Sequence, residues 1–271
     1  MNISKTINHT ENNMKYTFYK YHGAGNDFII LDNREKRIEL SALQIAHMCH
    51  RHYGIGADGL MLLQTSDSSD FHMVYYNSDG NESTMCGNGG RCITTFAHSM
   101  GLIGTATSFS AIDGKHTAYI RNDGMIALHM QDVHEIQHYD GYYILNTGSP
   151  HYVTWVDDVK GTDVFHLGRT IRNRKDFQPN GINVNFVQND TDGIWVRTYE
   201  RGVEDETLSC GTGVTACAIA ATFHQKGSFN ITIHTPGGDL LVTFKKDSPT
   251  SAKDVVLTGP AAFVFKGEIT L

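Results

Sequence analysis

Two cysteines stand in surroundings that could do chemistry. Cys86 lies in ESTMCGNGGRCITTFA and Cys210 in EDETLSCGTGVTACAIAA. Each is followed by Gly-x-Gly, and each has a Glu four residues before it. A cysteine at a helix entry sits at the positive end of the helix dipole, where a thiol pKa can fall from about 8.5 to roughly 3.5–7.5. Glycines after it let backbone N–H groups come close to an anion. Two such units face to face would supply two thiols and two sets of N–H donors. The donors would hold a carboxylate and stabilise the charge that develops when its α-proton leaves. One thiol would remove that proton, and the other would return one from the opposite side. Packing is the ordinary fate of a cysteine, but packing alone does not require Gly-x-Gly after each.

The elements that must position these cysteines are repeated as well. In both segments a strand-like run leads into a polar loop, then Cys-Gly-x-Gly, then a helical stretch. The two cysteines are 124 residues apart in a chain of 271, close to half its length. Two copies of one α/β unit related by a pseudo-twofold axis account for this. Helices are predicted over 41–53, 89–99 and 212–223, the last apolar nearly all round and therefore buried. Strands are predicted over 15–21, 28–31, 60–63, 71–76, 119–121, 125–129, 142–145, 152–156, 183–187, 193–199, 229–234, 240–244, 255–258 and 262–265. Hairpin turns are expected at Asn122-Asp123-Gly124 and Gly237-Gly238. Many strands with few helices give an α+β class with largely antiparallel sheets.

Composition bounds the rest. Hydrophobic residues make up 40% and charged residues 19%, which fits a globular chain long enough for two domains. The formal net charge of −7 argues against nucleic acid as a partner. Residues 1–14 read as a disordered extension, with Met14 an alternative start, and lack the apolar region of a secretory signal. No apolar run of about 18 residues is present, so no membrane span is expected, and the cytoplasm is the expected location. Cys49, Cys92 and Cys217 complete an odd set of five, which is no disulfide framework, and read as core packing.

Two other motifs are lookalikes. Gly54-Ile-Gly56-Ala-Asp58-Gly59 satisfies GxGxxG, but a helix precedes it and a strand follows, the reverse of a dinucleotide site. His134-Glu135-Ile-Gln-His138 satisfies HExxH, but a zinc site of this kind must lie on a helix. Here strand-like runs flank it, so it reads as a solvated connection between the two domains, and no metal is expected. The fifteen histidines are scattered.

The segments KYHGAGNDFIILDNR, YYNSDGNESTMCGNGGRC, GSPHY, GINVNF, YERGVEDETLSCGTG and TPGG together resemble the diaminopimelate epimerase family from about Lys15 onward. The resemblance implies an isomerase that converts LL-2,6-diaminopimelate to the meso form without pyridoxal phosphate or another cofactor. It implies that Cys86 and Cys210 are the catalytic pair, and that Gly87, Asn88, Gly211 and Thr212 hold the reacting carboxylate through backbone N–H groups. It further implies that Asn26, Asn77, Asn183, Glu200 and Arg201 bind substrate polar groups, and that His151 and Glu200 tune the protonation of the thiols. Some relatives carry Gln at Gly59 and Asn at Ser149, so the finer contacts there must differ. Related proline racemases, the alternative reading, carry His at Asn88. The implied architecture is two pseudo-symmetric halves, each a sheet wrapped around a central helix, with the site in the cleft. Residues 15–131 with 260–271 would form the half carrying Cys86, and 132–259 the half carrying Cys210. A homodimer is implied by the family alone. Thiols that address one carbon are also expected to be open to disulfide formation when the site is empty.

Overall fold

The structure, a computed structural model, describes residues 14–271. The expected disordered extension therefore lies, apart from Met14, outside the described residues. The chain opens with β1 (Lys15–Gly23), β2 (Asn26–Asp32), α1 (Ala42–Cys49), β3 (Gly59–Gln64), β4 (Phe71–Asn77) and β5 (Glu82–Ser83). Then follow α2 (Gly87–Ser99), β6 (Ala106–Ala111), β7 (Gly114–Ile120) and β8 (Ile126–His129). After β9 (Ile136–Tyr139) come β10 (Tyr142–Asn146), β11 (Pro150–Trp155), α3 (Val164–Arg172), β12 (Asn183–Asn189), β13 (Ile194–Glu200) and β14 (Asp205–Thr207). The chain ends with α4 (Gly211–Ala221), β15 (Gly227–Thr235), β16 (Gly238–Lys246), β17 (Lys253–Gly259) and β18 (Ala262–Thr270).

The internal repeat holds strand by strand. β1–β2 is antiparallel, β2–β3 parallel, β3–β4 and β4–β5 antiparallel, β4–β6 parallel, and β6–β7 and β7–β8 antiparallel. From β10 to β17 the same sequence of pairings recurs: β10–β11 antiparallel, β11–β12 parallel, β12–β13 and β13–β14 antiparallel, β13–β15 parallel, β15–β16 and β16–β17 antiparallel. A further strand flanks each copy, β18 on β1 and β9 on β10. The last strands of the two copies, β8 and β17, pair antiparallel over Ile126–His129. They form a backbone seam between the halves.

Registers make the equivalence residue-specific. Phe28 pairs with Gly59 and Met61 with Tyr75, while His151 pairs with Asn183 and Asn185 with Thr198. Counting along the strands matches Asn26 with Ser149, Gly59 with Asn183, Asn77 with Glu200, and Tyr75 with Thr198. Each sheet wraps a buried helix. Cys92, Ile93, Phe96 and Ala97 of α2 fill one core, and Val214, Ala216, Cys217 and Ile219 of α4 fill the other. Such helices suit a two-layer architecture, because water reaches neither side of them.

Several expectations change. The first helix ends at Cys49 rather than at 53, because Ile55 and Gly56 turn back to donate to the Met48 carbonyl. Its start is a capping box, Ser41 with Gln44. Helix α3 was not expected. It is a short surface helix capped by Asp163, with Val164 and Gly168 buried and Phe165 and Ile171 packed against the core beneath. The β6–β7 hairpin was expected only at its end, since its Ser and Thr residues blur the alternation. The region around the HExxH motif is not merely a connection: Ile136–Tyr139 form β9, and His138 stacks on Tyr143 at 4.6 Å. A strand does not place the two histidines as a zinc helix does. No helix among the described residues is long and apolar enough to cross a membrane.

Candidate active site

Helices α2 and α4 meet at their N-termini, and Cys86 and Cys210 are their N-cap residues. A Cβ placed on Gly87 would lie 3.5 Å from the Gly211 Cα, and one on Gly211 only 3.2 Å from the Gly87 Cα. This close approach is the reason for glycine after each cysteine: side chains there would wedge the helices apart. Each helix end carries roughly +0.5 of a charge, so the two poles reinforce one another over one small region. Neither Cys86 nor Cys210 makes a side-chain capping bond, which leaves the first-turn N–H groups free for an anion.

Around Cys86 the thiol donates to Asn26 Oδ1 at 3.7 Å, and Asn88 Nδ2 donates to the same oxygen at 3.1 Å. Asn26 is held in turn by Asp58, whose Oδ2 accepts from Asn26 Nδ2 at 2.6 Å. Arg51 bridges Asp58 and Asp27, and Lys20 pairs with Asp27 at 2.7 Å. The GxGxxG segment thus contains, just before its last glycine, the carboxylate that orients Asn26. Asn88 also crosses to the other half, donating to the Ser209 carbonyl at 2.9 Å.

Around Cys210 the partners form a chain. Asn185 Nδ2 donates to His151 Nδ1 at 3.1 Å and to the Tyr152 carbonyl, while Asn185 Oδ1 accepts from Thr198. With Nδ1 accepting, His151 carries its proton on Nε2, which lies 2.9 Å from Thr212 Oγ1. The Thr212 hydroxyl is left to donate to Cys210 Sγ at 3.5 Å. Burial, with a smaller push from Arg201, takes the His151 pKa down to about 3, so the imidazole is neutral at physiological pH. Burial raises the Glu200 carboxyl above its ordinary value, although Thr207 donates to it at 3.0 Å.

The thiols do not follow the expectation from the helix dipole. Burial pushes both above their ordinary value. For Cys86 the N–H groups of Gly89 and Asn88 and the Arg91 cation pull the other way, while Glu200 adds to the rise. For Cys210 burial and then Glu200 raise it, against Thr212 and the Gly213 N–H. Desolvation of an enclosed thiolate outweighs the N–H donors in the empty site.

Asn183 and Arg201 lie at the matching end of the second half. Asn183 Nδ2 donates to Ser149 Oγ at 2.8 Å, and Asn183 Oδ1 accepts from the Arg201 N–H. Arg201 also reaches Ser149 Oγ at 3.5 Å. Ser149 therefore joins the group rather than leaving a gap. Asn77 is exposed at the end of β4, opposite Gly59, and its side chain bonds nothing among the described residues. Cys49, Cys92 and Cys217 are buried. Sequence reading passed over Arg91. It is fully buried on α2 with no carboxylate partner among the described residues, donating to the Gly87 carbonyl at 3.3 Å, to Asn88 Oδ1 at 2.8 Å and to the Pro260 carbonyl at 3.3 Å. A lone Arg inside the otherwise uncharged run GNGGRCITTFA was the signal.

Solved structures share this two-copy fold. A phenazine biosynthesis protein of the PhzF family from Bacillus anthracis superposes with a TM-score of 0.76 at 13% identity, over 95% of this chain and all of that one. A hydroxyproline epimerase from Agrobacterium vitis gives 0.68 at 16% identity, over 95% and 93%. At such identity the likeness defines a fold class only. The sequence goes further. The diaminopimelate epimerase profile matches residues 18–135 and 143–264. The diaminopimelate epimerase of Flavobacterium psychrophilum is 50% identical, covering 93% of this chain and 99% of its own, and that of Chlorobaculum tepidum is 40% identical, covering 92% and 99%. The chain belongs to the diaminopimelate epimerase family.

Proposed function

We propose that the protein inverts one α-carbon of LL-2,6-diaminopimelate to give the meso form, with Cys86 and Cys210 as the two acid–base groups. The observation that carries this is the meeting of two cysteine-capped helix N-termini in glycine-to-glycine contact. The α-carboxylate accepts hydrogen bonds from the N–H groups of Gly87, Asn88, Gly211 and Thr212. Negative charge that spreads onto it as the α-proton leaves is met by two helix poles in a water-poor site. The thiolate of one cysteine takes the proton and becomes a thiol. The thiol of the other gives its proton to the opposite face and becomes the thiolate, so no net proton is consumed and the roles exchange in the reverse direction. Neutral His151 acts through Thr212 on Cys210. Asn26, Asn77, Asn183, Glu200 and Arg201 hold the polar ends of the substrate: Arg201 suits a distal carboxylate and Glu200 an ammonium.

The halves 15–131 with 260–271 and 132–259 would close on substrate about the β8–β17 seam. Phe263, Val264 and Phe265 are about half exposed on edge strand β18, a surface suited to a homodimer contact. A mass twice that of the chain by light scattering, lost in Phe263→Asp, is expected. A monomeric wild type would refute the dimer. Five free cysteines suit the reducing cytoplasm, where the meso product feeds lysine and peptidoglycan synthesis. Chiral chromatography after incubation with LL-2,6-diaminopimelate, beside a proline control, tests the activity. Formation of the meso isomer with proline untouched is expected. Proline racemisation without meso product would overturn the substrate assignment.

A further inference from the structure

In the second half the β12 position that opens toward the site carries Asn183, with an amide side chain bonded to Ser149 and Arg201. Its counterpart in the first half is Gly59, which has no side chain to offer. The space is not vacant. A Cβ at Gly59 would lie 2.6 Å from Tyr75 Cε2, 3.0 Å from the Tyr75 hydroxyl and 2.6 Å from the Tyr76 carbonyl oxygen. Tyr75 stands two residues before Asn77 on β4, so its ring leans diagonally across to Gly59 on the same side of the sheet. The ring packs edge-on against Phe28, at 6.0 Å between centroids, in the core that includes Cys86.

The ring explains itself by packing, but the hydroxyl does not. It receives no hydrogen bond from, and gives none to, any described residue, and it is not among the fully enclosed polar atoms left without a partner. A phenylalanine would fill the same volume, so packing alone does not call for the oxygen, which stays open to solvent or a ligand. Burial holds the phenol well above its ordinary pKa, with smaller pushes from Cys86, Glu200, Asp58 and Cys49, so it keeps its proton. At Thr198, the matching place in the second half, the hydroxyl is already committed to Asn185.

We propose that the Tyr75 hydroxyl, seated over Gly59, is a substrate-binding group that takes the place of a side chain at position 59. Gly59 and Tyr75 are then one device: the glycine makes room for the ring, and the ring delivers the polar atom that a longer residue at 59 would have supplied. The inference rests on the proposed epimerase reading. It predicts that substrates reach the first half through a rigid phenol rather than a flexible amide.

Tyr75→Phe keeps the ring and removes only the oxygen, so folding should be retained, as circular dichroism melting can verify. The expected result is a KM for LL-2,6-diaminopimelate raised about tenfold, the loss of one good hydrogen bond, with kcat lowered less than threefold. A companion variant checks the idea: Tyr75→Val removes ring and oxygen together and should raise KM at least as much. An unchanged KM in Tyr75→Phe would overturn the proposal, as would a fall in kcat with KM unchanged, which would mean that Tyr75 acts on Cys86 and not on substrate. Wild-type protein that forms no meso product would instead overturn the proposed function, so the two failures are distinguishable.

Discussion

Under Cys86 the sheet presents Phe28, Met61 and Tyr75; at the matching places under Cys210 it presents His151, Asn185 and Thr198. The backbone is repeated, but the chemistry is not. One thiol rests on an apolar bed, donates to Asn26 and feels the charge of the buried Arg91. The other rests on a hydrogen-bonded chain that ends in a neutral imidazole, and at the place of Arg91 its helix carries Thr215, which bonds only its own turn. In the proposed reaction, symmetry would supply two bases on opposite faces of one carbon. The departures from symmetry make the two thiols different, so that a substrate with one reacting centre is met by an ordered pair.

The largest test of this comparison removes each thiol in turn. Cys86→Ala and Cys210→Ala should each lower net epimerisation by about 10³-fold or more, the upper part of the range for losing a positioned acid or base. Turnover near wild type in either variant would break the pairing. Arg91→Thr copies the second half into the first. Loss of the cation should raise the Cys86 pKa, shift the pH dependence of Cys86 alkylation to higher pH, and lower kcat/KM about tenfold or more. Alkylation that follows an unchanged pH curve would show that Arg91 serves only to tie α2 to the Pro260 carbonyl.

His151→Phe makes the opposite exchange, giving the second half the residue that the first has at Phe28. The variant should lose about 1–3 kcal/mol at neutral pH, because Asn185 and Thr212 lose a partner. It should also change the acid limb of stability. His151 titrates near pH 3 when folded against an ordinary value of 6.5, so as pH falls below about 6.5 the unfolded chain takes up the proton first. Stability is therefore full above that pH and declines toward pH 3, with a slope of up to about 1.4 kcal/mol per unit. Urea midpoints should show part of that slope lost in His151→Phe, and an unaltered slope would place the acid sensitivity elsewhere. The smallest effect is expected for Ser149→Ala, about a threefold rise in KM, because Asn183 and Arg201 keep their remaining contacts. A change in kcat alone would argue that Ser149 does not serve binding.

Much of this could be read in the chain. The doubled Cys-Gly-x-Gly announces two helix entries, because few residues other than glycine tolerate so close a contact, and the pseudo-twofold follows from their spacing. Strands with clean alternation or apolar runs were legible for the same reason. What stayed hidden depends on tertiary neighbours. Arg91 is informative only once α2 is seen to be buried on all sides. Asp58 belongs to a motif whose familiar meaning is phosphate binding, and its role appears only when β2 and β3 bring it against Asn26. Tyr75 looks like an ordinary strand residue until the glycine across the ladder is seen beneath it. The thiol pKa values went against the local rule because the dipole is a short-range property of sequence, whereas desolvation is set by everything that closes around the site.

If two thiols act on opposite faces of one carbon, proton wash-in from solvent reports on each face separately. LL-2,6-diaminopimelate is incubated with the protein in deuterium oxide, and product and recovered substrate are compared by mass spectrometry at early times. Two bases predict one deuterium at the α-carbon of the meso product while the remaining LL isomer keeps its protium, since the thiol that gives the proton is not the one that received it. Deuterium appearing equally in both isomers from the outset, or a product that carries none, would contradict the account.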